Sequence, residues 1–250
     1  MKTKLNTIIK YFIICCITFS FLLTLGLGSL EYLYSSKDFP EPSFHKDIWK
    51  HRVNSIDHLE QTIQQGFKGI EIDLYFKNQK FLVTHESPTE NSKLTLEDFL
   101  KTIPTDFNLW LDLKNLTKKN IKLVTDRFNE LDTQFNLRPR SHIESQNGWA
   151  LRELSHANIQ SLFWIYPYPN TRAHYFYNLK NKFIILSSDF IGISMDHSLV
   201  NKRVLNTFEN IPLFLFTLNQ IEEFEKFEDL DELKVVLTDK VELLRPQARN

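Results

Sequence analysis

Two acidic residues interrupt an otherwise apolar segment in the first third of the chain. In the stretch KGIEIDLYFKNQKFLVTHE, residues 68–86, Glu71 and Asp73 are separated only by Ile72. Because side chains alternate between the two faces of a β-strand, both carboxylates point to one face and their aliphatic neighbours to the other. Adjacent carboxylates on a covered face are costly unless a cation compensates their charge. The spacing indicates a cation site, and a solvent-exposed strand face is the alternative.

A third carboxylate has the same placement in the next predicted parallel strand. In the segment NLWLDLKN, residues 108–115, the leucines share one face, whereas Trp110, Asp112 and Lys114 share the other. Three carboxylates on neighbouring strands form an oxygen-rich site for a hard divalent cation, Mg²⁺ or Ca²⁺. Zinc is less favoured, because no paired Cys or His residues have the expected ligand spacing. A structural ion pair between Asp112 and Lys114 is the alternative.

Two histidines follow predicted strands, His51 after the first and His85 after a hairpin strand. Imidazole changes charge near neutral pH, which suits general acid–base catalysis, although a histidine that only caps a strand is the alternative. Other polar residues at predicted strand ends are Arg52, Asn54, Glu86, Asn115, Glu144, Asn219, Thr238 and Asp239. For Glu144, pairing with Arg52 or Lys114 is an alternative to a role in the site.

Strand-like and helix-like patterns alternate from residue 47 to the end of the chain. They make eight strand–helix modules and one extra hairpin strand. Such alternation predicts a parallel sheet, and eight modules predict a (β/α)8 TIM barrel over residues 47–250. An open doubly wound sheet is the alternative fold. Glycine-rich phosphate loops do not follow any predicted strand, which argues against a nucleotide-binding fold.

The first 46 residues differ in composition from the rest. Residues 11–28 are uncharged and apolar, and predict a transmembrane anchor or a signal peptide. Lys2, Lys4 and Lys10 precede this segment, so residues 1–10 are expected in the cytoplasm. Residues 29–46 contain two prolines and are interpreted as a tether. The barrel is therefore expected outside the cytoplasm, held at the membrane, or secreted or periplasmic if the segment is cleaved.

Composition excludes some partners. The chain has 250 residues and a formal net charge of −1, without a basic excess, so a nucleic-acid partner is not indicated.

Both cysteines, Cys15 and Cys16, lie in the apolar segment, so the predicted barrel contains no disulfide.

The order of these motifs resembles the glycerophosphodiester phosphodiesterase group of the phospholipase-C-like barrel superfamily. The segments that carry the resemblance are HRVNS, GFKGIEIDLYF, FLVTHES, LWLDLKN, FTLN and VVLTDK, and they extend from Trp49 to about Leu244. Four positions depart from the group's pattern, namely Val53 for Gly, Asp112 for Glu, Glu86 for Asp and Phe216 for Trp. The Val53–Asn54 pair and Asp112 are instead similar to the related sphingomyelinase-D-like phospholipases.

The resemblance implies a metal-dependent phosphodiesterase that acts on glycerophosphodiesters or lysophospholipid head groups. The implied residues are Glu71, Asp73 and Asp112 for Mg²⁺ or Ca²⁺, His51 and His85 as general base and acid, and Arg52 and Lys114 for the substrate phosphate. Two alternatives stay open: an inactive barrel that binds lipid or sugar, and a metal-independent phospholipase-C-like lyase.

Overall fold

The computed structural model describes residues 2–42, 44, 46–166 and 173–244, so positions 167–172 and 245–250 of the predicted barrel lie outside the described residues. The chain divides into two compact units, Met1–Asp38 and Phe39–Asn250.

The first unit contains one long helix, α1, Lys2–Ser35. Its segment Ile9–Ser35 contains an 18-residue stretch with a mean hydropathy of 2.2 and is long and apolar enough to cross a membrane, a test that a signal sequence also passes. Large apolar side chains of this helix are exposed, with Phe12 and Phe19 each 69% accessible. The helix continues through the first residues of the predicted tether.

The second unit is built on a nine-stranded sheet. Its strands are β1 Asp47–Lys50, β2 Gly69–Lys77, β3 Lys80–Val83, β4 Asn108–Leu113, β5 Ser141–Ser145, β6 Ser161–Trp164, β7 Gly192–Asp196, β8 Leu213–Phe216 and β9 Leu233–Thr238. Strand β1 pairs in parallel with both β2 and β9, which closes eight parallel strands into a barrel. Strand β3 pairs antiparallel with the end of β2. The TIM-barrel prediction is confirmed, and the open doubly wound alternative is wrong.

Helices follow the barrel strands. They are α2 Ile56–Gln64, α3 Leu96–Leu100, α4 Ile121–Phe135, α5 Gly148–His156, α6 Ala173–Leu186, α7 Lys202–Thr207 and α8 Ile221–Phe224. Side chains cap the first two: Ser55 accepts a hydrogen bond from the backbone N–H of His58, and Thr95 accepts one from that of Asp98. These caps fix where the chain leaves each strand-end loop and turns back along the barrel.

The barrel interior is layered along the strands. An aromatic floor, formed by Trp49, Trp110, His142 and Phe214, fills its lower part. The His142 ring lies 5.5 Å from Trp49, 5.3 Å from Trp110 and 5.3 Å from Phe214, measured between ring centroids. Trp49 needs glycine beside it, because a Cβ on Gly69 would lie 2.3 Å from its indole.

The polar layer lies above this floor on the same strands. Trp110 and His142 stand two residues before Asp112 and Glu144, respectively, so each pair shares the inward face of its strand. The carboxylates therefore lie nearer than the aromatic floor to the carboxyl-terminal ends of the strands, where TIM barrels carry their active sites.

Candidate active site

Three buried carboxylates converge at the mouth of the barrel. Glu71, Asp73 and Asp112 each place one oxygen within 4.8 Å of the others. Strands β2 and β4 pair so that Asp73 is opposite Asp112. The convergence expected from the alternation of residues on two strands is present in the structure.

Burial and mutual repulsion separate the pKa values of these groups. Burial, followed by the charges of Asp73 and Asp112, raises the pKa of Glu71 well above its usual range. Burial also raises the pKa of Asp112 to about 6, although Lys114 opposes the shift. For Asp73 burial acts in the same direction, but Lys114, Asn54 and His85 together outweigh it and the pKa is lowered. A cation added to this cluster would replace protons that its carboxyls otherwise hold.

Lys114 supplies the positive charge nearest to the cluster. Its Nζ lies 2.6 Å from Asp73 Oδ1 and also pairs with Asp112 Oδ2. Burial lowers its pKa, but the two carboxylates outweigh burial and raise the pKa above the usual range. The ion pair between Asp112 and Lys114 that the sequence left as an alternative is therefore formed.

The donor set fits a hard divalent cation. All three groups offer carboxylate oxygens, the ligands that Mg²⁺ and Ca²⁺ prefer. Asp112 Oδ1 is buried without a hydrogen-bond partner among the described residues. Such a buried acceptor is costly unless something fills its coordination, which a metal ion at this point would do.

Arg52 and Asn54, in the loop after β1, donate hydrogen bonds to two carboxylates of the acidic cluster. Arg52 adopts a left-handed backbone conformation, with φ of 52°, and its N–H donates to Glu71 Oε2 at 2.7 Å. Asn54 Nδ2 donates to Asp73 Oδ2 at 2.6 Å, and its Oδ1 accepts from the Asp73 backbone N–H at 3.0 Å. The turn that ends β1 therefore fixes two of the three carboxylates.

His51 is oriented by a chain of hydrogen bonds from β9 and the end of β8. Its Nδ1 lies 3.1 Å from Asp239 Oδ1, and Asp239 Oδ2 accepts from Asn219 Nδ2 at 3.1 Å. Burial lowers the pKa of His51, and the attraction of Asp239 only partly offsets this. The imidazole is consequently neutral over a wide pH range, with Nε2 facing Thr217 Oγ1 at 3.5 Å.

His85 stands across the mouth and contacts Arg52 and Glu86. The guanidinium of Arg52 is 2.7 Å from His85 Nε2, and Glu86 Oε1 is 2.7 Å from Nδ1. Because a guanidinium can only donate, Nε2 of His85 accepts a hydrogen bond from Arg52. Nδ1 therefore carries the hydrogen and donates a hydrogen bond to Glu86. An anion that drew Arg52 away would leave Nε2 without this donor.

A cavity of about 310 Å³ joins these groups. Its lining includes every site residue expected from the sequence: His51, Arg52, Glu71, Asp73, His85, Asp112 and Lys114. It also includes Trp164 at the end of β6 and Asp196 at the end of β7, which sequence reasoning missed. The rule that picked out the other residues, polar or aromatic side chains at strand ends, would have found both.

Glu144 is a further buried carboxylate of the mouth, and its partner is a hydroxyl group. It is 2% exposed and accepts a hydrogen bond from Ser194 Oγ. Burial, together with the charge of Asp112, raises its pKa well above the usual range. The structure gives it this hydroxyl partner in place of the pairing with Arg52 or Lys114 considered from sequence.

Comparisons with known proteins place the barrel among phosphodiesterase folds. A glycerophosphodiester phosphodiesterase from Parabacteroides distasonis superposes with a TM-score of 0.63 at 16% identity, covering 82% of this chain and 99% of that one. One from Agrobacterium tumefaciens gives 0.56 at 10% identity, with 80% and 98% covered. A calcium-dependent phosphoinositol-specific phospholipase C from Pseudomonas gives 0.54 at 10% identity, with 78% and 89% covered.

Sequence comparison adds nothing to this structural likeness. No protein-family model matches the chain. No curated protein matches it either. The resemblance expected from the motifs is confirmed for the fold, and similarity to sphingomyelinase-D-like phospholipases stays a prediction. The chain thus has the TIM-barrel fold of these glycerophosphodiester phosphodiesterases, with a buried acidic cluster at the barrel mouth.

Proposed function

We propose that the protein is a metal-dependent phosphodiesterase that hydrolyses glycerophosphodiesters or lysophospholipid head groups. One observation carries the proposal: three buried carboxylates, two histidines and two cationic side chains line a single cavity at the mouth of the barrel. The fold shared with solved phosphodiesterases supports the same activity.

The cationic residues would bind and orient the substrate phosphate. Arg52 is half-exposed at the rim, and Lys114 lies deeper beside Asp73 and Asp112. A guanidinium binds two phosphate oxygens at once, whereas an ammonium acts as a point charge. A divalent ion on the carboxylates, when bound, would stabilise negative charge on a phosphoryl oxygen.

The histidines would move the protons of the reaction. Neutral His51 would accept, at Nε2, the proton of the attacking water or substrate hydroxyl as the new P–O bond forms. Protonated His85 would donate to the leaving oxygen as the old P–O bond breaks. Water as nucleophile gives a phosphomonoester and an alcohol, whereas a neighbouring substrate hydroxyl gives a cyclic phosphate.

A metal-replete assay tests the activity. We expect the full chain to release alcohol from an aryl phosphodiester and from glycerophosphocholine, and a chelator to abolish the release. His51→Ala and His85→Ala should each lower turnover by about 10²–10⁴-fold without loss of folding. His156→Ala, at an exposed position outside the cavity, is the matched control.

The outcomes separate the alternatives. If no phosphodiester is cleaved with either metal, the barrel is a binding protein and the proposal is wrong. Cleavage that survives chelation and yields a cyclic phosphate would identify a metal-independent lyase. Near-full turnover in either histidine variant would remove that histidine from the mechanism.

A further inference from the structure

A second cavity, which we call the side pocket, lies beside the mouth. It has a volume of about 370 Å³ between the loop after β5, the end of β6 and helix α6. Its walls combine the aromatic residues Trp149, Phe163, Trp164, Tyr166 and Tyr177 with polar residues that include Lys180 and Asn181. A pocket with aromatic walls and several polar groups suits a small molecule that has both an apolar and a polar part.

The side pocket is continuous with the candidate active site. Trp164 lines both the side pocket and the mouth cavity. A smaller cavity of about 250 Å³ shares His85 and Lys114 with the mouth cavity and Gln146 with the side pocket. Lys114 Nζ lies 5.6 Å from the centre of the Trp164 ring. One ligand can therefore occupy the mouth and extend past Trp164.

Two buried donors of the side pocket lack acceptors among the described residues. Asn181 is 1% exposed, and its Nδ2 has no hydrogen-bond partner there. Trp164 Nε1 is buried and likewise unpartnered in the described part of the chain. Leaving such donors unpaired is unfavourable, so a ligand with an acceptor atom would be favoured at this place.

We propose that the side pocket binds the acyl ester of a lysophospholipid while the phosphodiester of the same molecule occupies the mouth. The ester carbonyl accepts from the unpaired Asn181 amide, and the acyl chain packs on the aromatic walls. A deacylated glycerophosphodiester offers neither the carbonyl nor the apolar chain. This inference rests on the proposed function and selects between its two substrate classes.

The test compares two substrates that differ only in the acyl group. Hexanoyl lysophosphatidylcholine and glycerophosphocholine are assayed with the full chain in non-ionic detergent, with metal. We expect kcat/KM to be at least about tenfold higher for the acylated substrate, the change that about 1.4 kcal/mol produces. Asn181→Leu and Tyr177→Leu should each reduce this preference by about tenfold.

Phe176→Leu is the matched control. Phe176 neighbours Tyr177 on α6, is 73% exposed and does not line the side pocket. It should leave the preference unchanged. Thermal unfolding of each variant checks folding, and Asn181→Leu removes a donor that already lacks a partner.

Each outcome decides a different point. Equal kcat/KM for the two substrates in the wild type, or equal effects of Asn181→Leu and Phe176→Leu, would overturn the inference and leave the phosphodiesterase activity standing. If neither substrate is cleaved, the proposed function fails. Calorimetry then still tests whether the side pocket binds the acyl ester, by comparing the affinity of the wild type and of Asn181→Leu for hexanoyl lysophosphatidylcholine. Weaker binding to the variant would support the inference, and equal binding would overturn it.

Discussion

Asp112 has two oxygens in different surroundings. Oδ2 pairs with Lys114, whereas Oδ1 is buried and unpartnered among the described residues. Because burial raises the pKa of this carboxyl to about 6, protons compete with a divalent cation below that pH. Glu71, whose pKa is raised further, adds to the competition.

We therefore expect affinity for Mg²⁺ or Ca²⁺ to weaken as the pH falls from 8 to 5. The loss should approach about tenfold per pH unit for each proton displaced. Calorimetric titration of the full chain at several pH values measures it. Asp112→Asn should bind weakly at every pH, and Asp126→Asn, on the exposed side of α4, should match the wild type. Affinity that does not change with pH would argue against these ligands.

Asp239 acts through His51. Its Oδ1 lies 3.1 Å from His51 Nδ1, and its Oδ2 accepts a hydrogen bond from Asn219 Nδ2. Asp239→Asn removes the charge that fixes the imidazole orientation and partly supports its pKa. We expect kcat to fall by about 10²–10⁴-fold.

The pH profile identifies the cause of that loss. A base must be neutral, so the acidic limb of kcat against pH follows the pKa of His51. Since Asp239 raises that pKa against burial, the variant's limb should move to lower pH. Asp229→Asn, at an exposed position, is the control. An Asp239→Asn variant with wild-type kcat and an unmoved limb would show that Asp239 does not position His51.

At the level of single residues, sequence reasoning identified the groups but not their partners. Glu71, Asp73 and Asp112 follow from the alternation of strand faces, which is local. The pairing of His51 with Asp239 joins residues 188 positions apart and depends on β1 lying next to β9. Arg52 has a left-handed backbone conformation and its guanidinium contacts His85, and the sequence indicated neither feature.

Strand β5 shows how one element supports both layers of the barrel. Its inward residues are His142 in the aromatic floor and Glu144 in the polar layer. Neither His142 ring nitrogen has a hydrogen-bond partner among the described residues, and burial lowers the pKa of the ring to about 3.

This histidine should make folding sensitive to acid. Unfolded histidine titrates near pKa 6.5, so between about pH 6.5 and 3 the unfolded state binds more protons. Its contribution to stability is therefore present above pH 6.5 and lost as the pH falls. The unfolding free energy of the wild type relative to His142→Leu should fall by about 1.4 kcal/mol per pH unit well below 6.5.

Urea titrations at pH 7, 5.5 and 4.5 measure the unfolding free energy of both proteins. The carboxyl groups contribute equally to both, so their contribution cancels when the value for His142→Leu is subtracted from that for the wild type. The exposed His156, changed to leucine, is the control. A difference that is constant with pH would mean that His142 takes up its proton equally in the folded and unfolded states.

The order of elements was the most predictable part of the fold. Alternating strand and helix patterns and the caps Ser55 and Thr95 are local signals, and the barrel follows from eight repeats of one module. The aromatic floor was not foreseen. Its members come from four strands, so only the closed barrel shows that His142 lies between Trp49, Trp110 and Phe214.

On the scale of the whole chain, α1 is the element that could attach the protein to a membrane. We propose that residues 11–28 anchor the chain with the barrel outside the cytoplasm, since lysines precede the apolar segment and the next one is Lys37. The protein should stay in the membrane fraction through high-salt washing, and protease added outside should digest it.

Other results would change this assignment. Release by salt would mean peripheral association. A soluble product that begins near Ser29 would identify a cleaved signal peptide. Protection from external protease would reverse the orientation.

The aromatic floor has a consequence for turnover. Rings fill the barrel below the acidic cluster, so substrate and products of the proposed reaction can reach the mouth cavity only from the carboxyl-terminal side of the barrel. The first product to leave must pass the place where the next substrate arrives, and each product competes with substrate for the same opening. For the proposed reaction, we expect the product that lies nearer the rim, alcohol or phosphomonoester, to leave first.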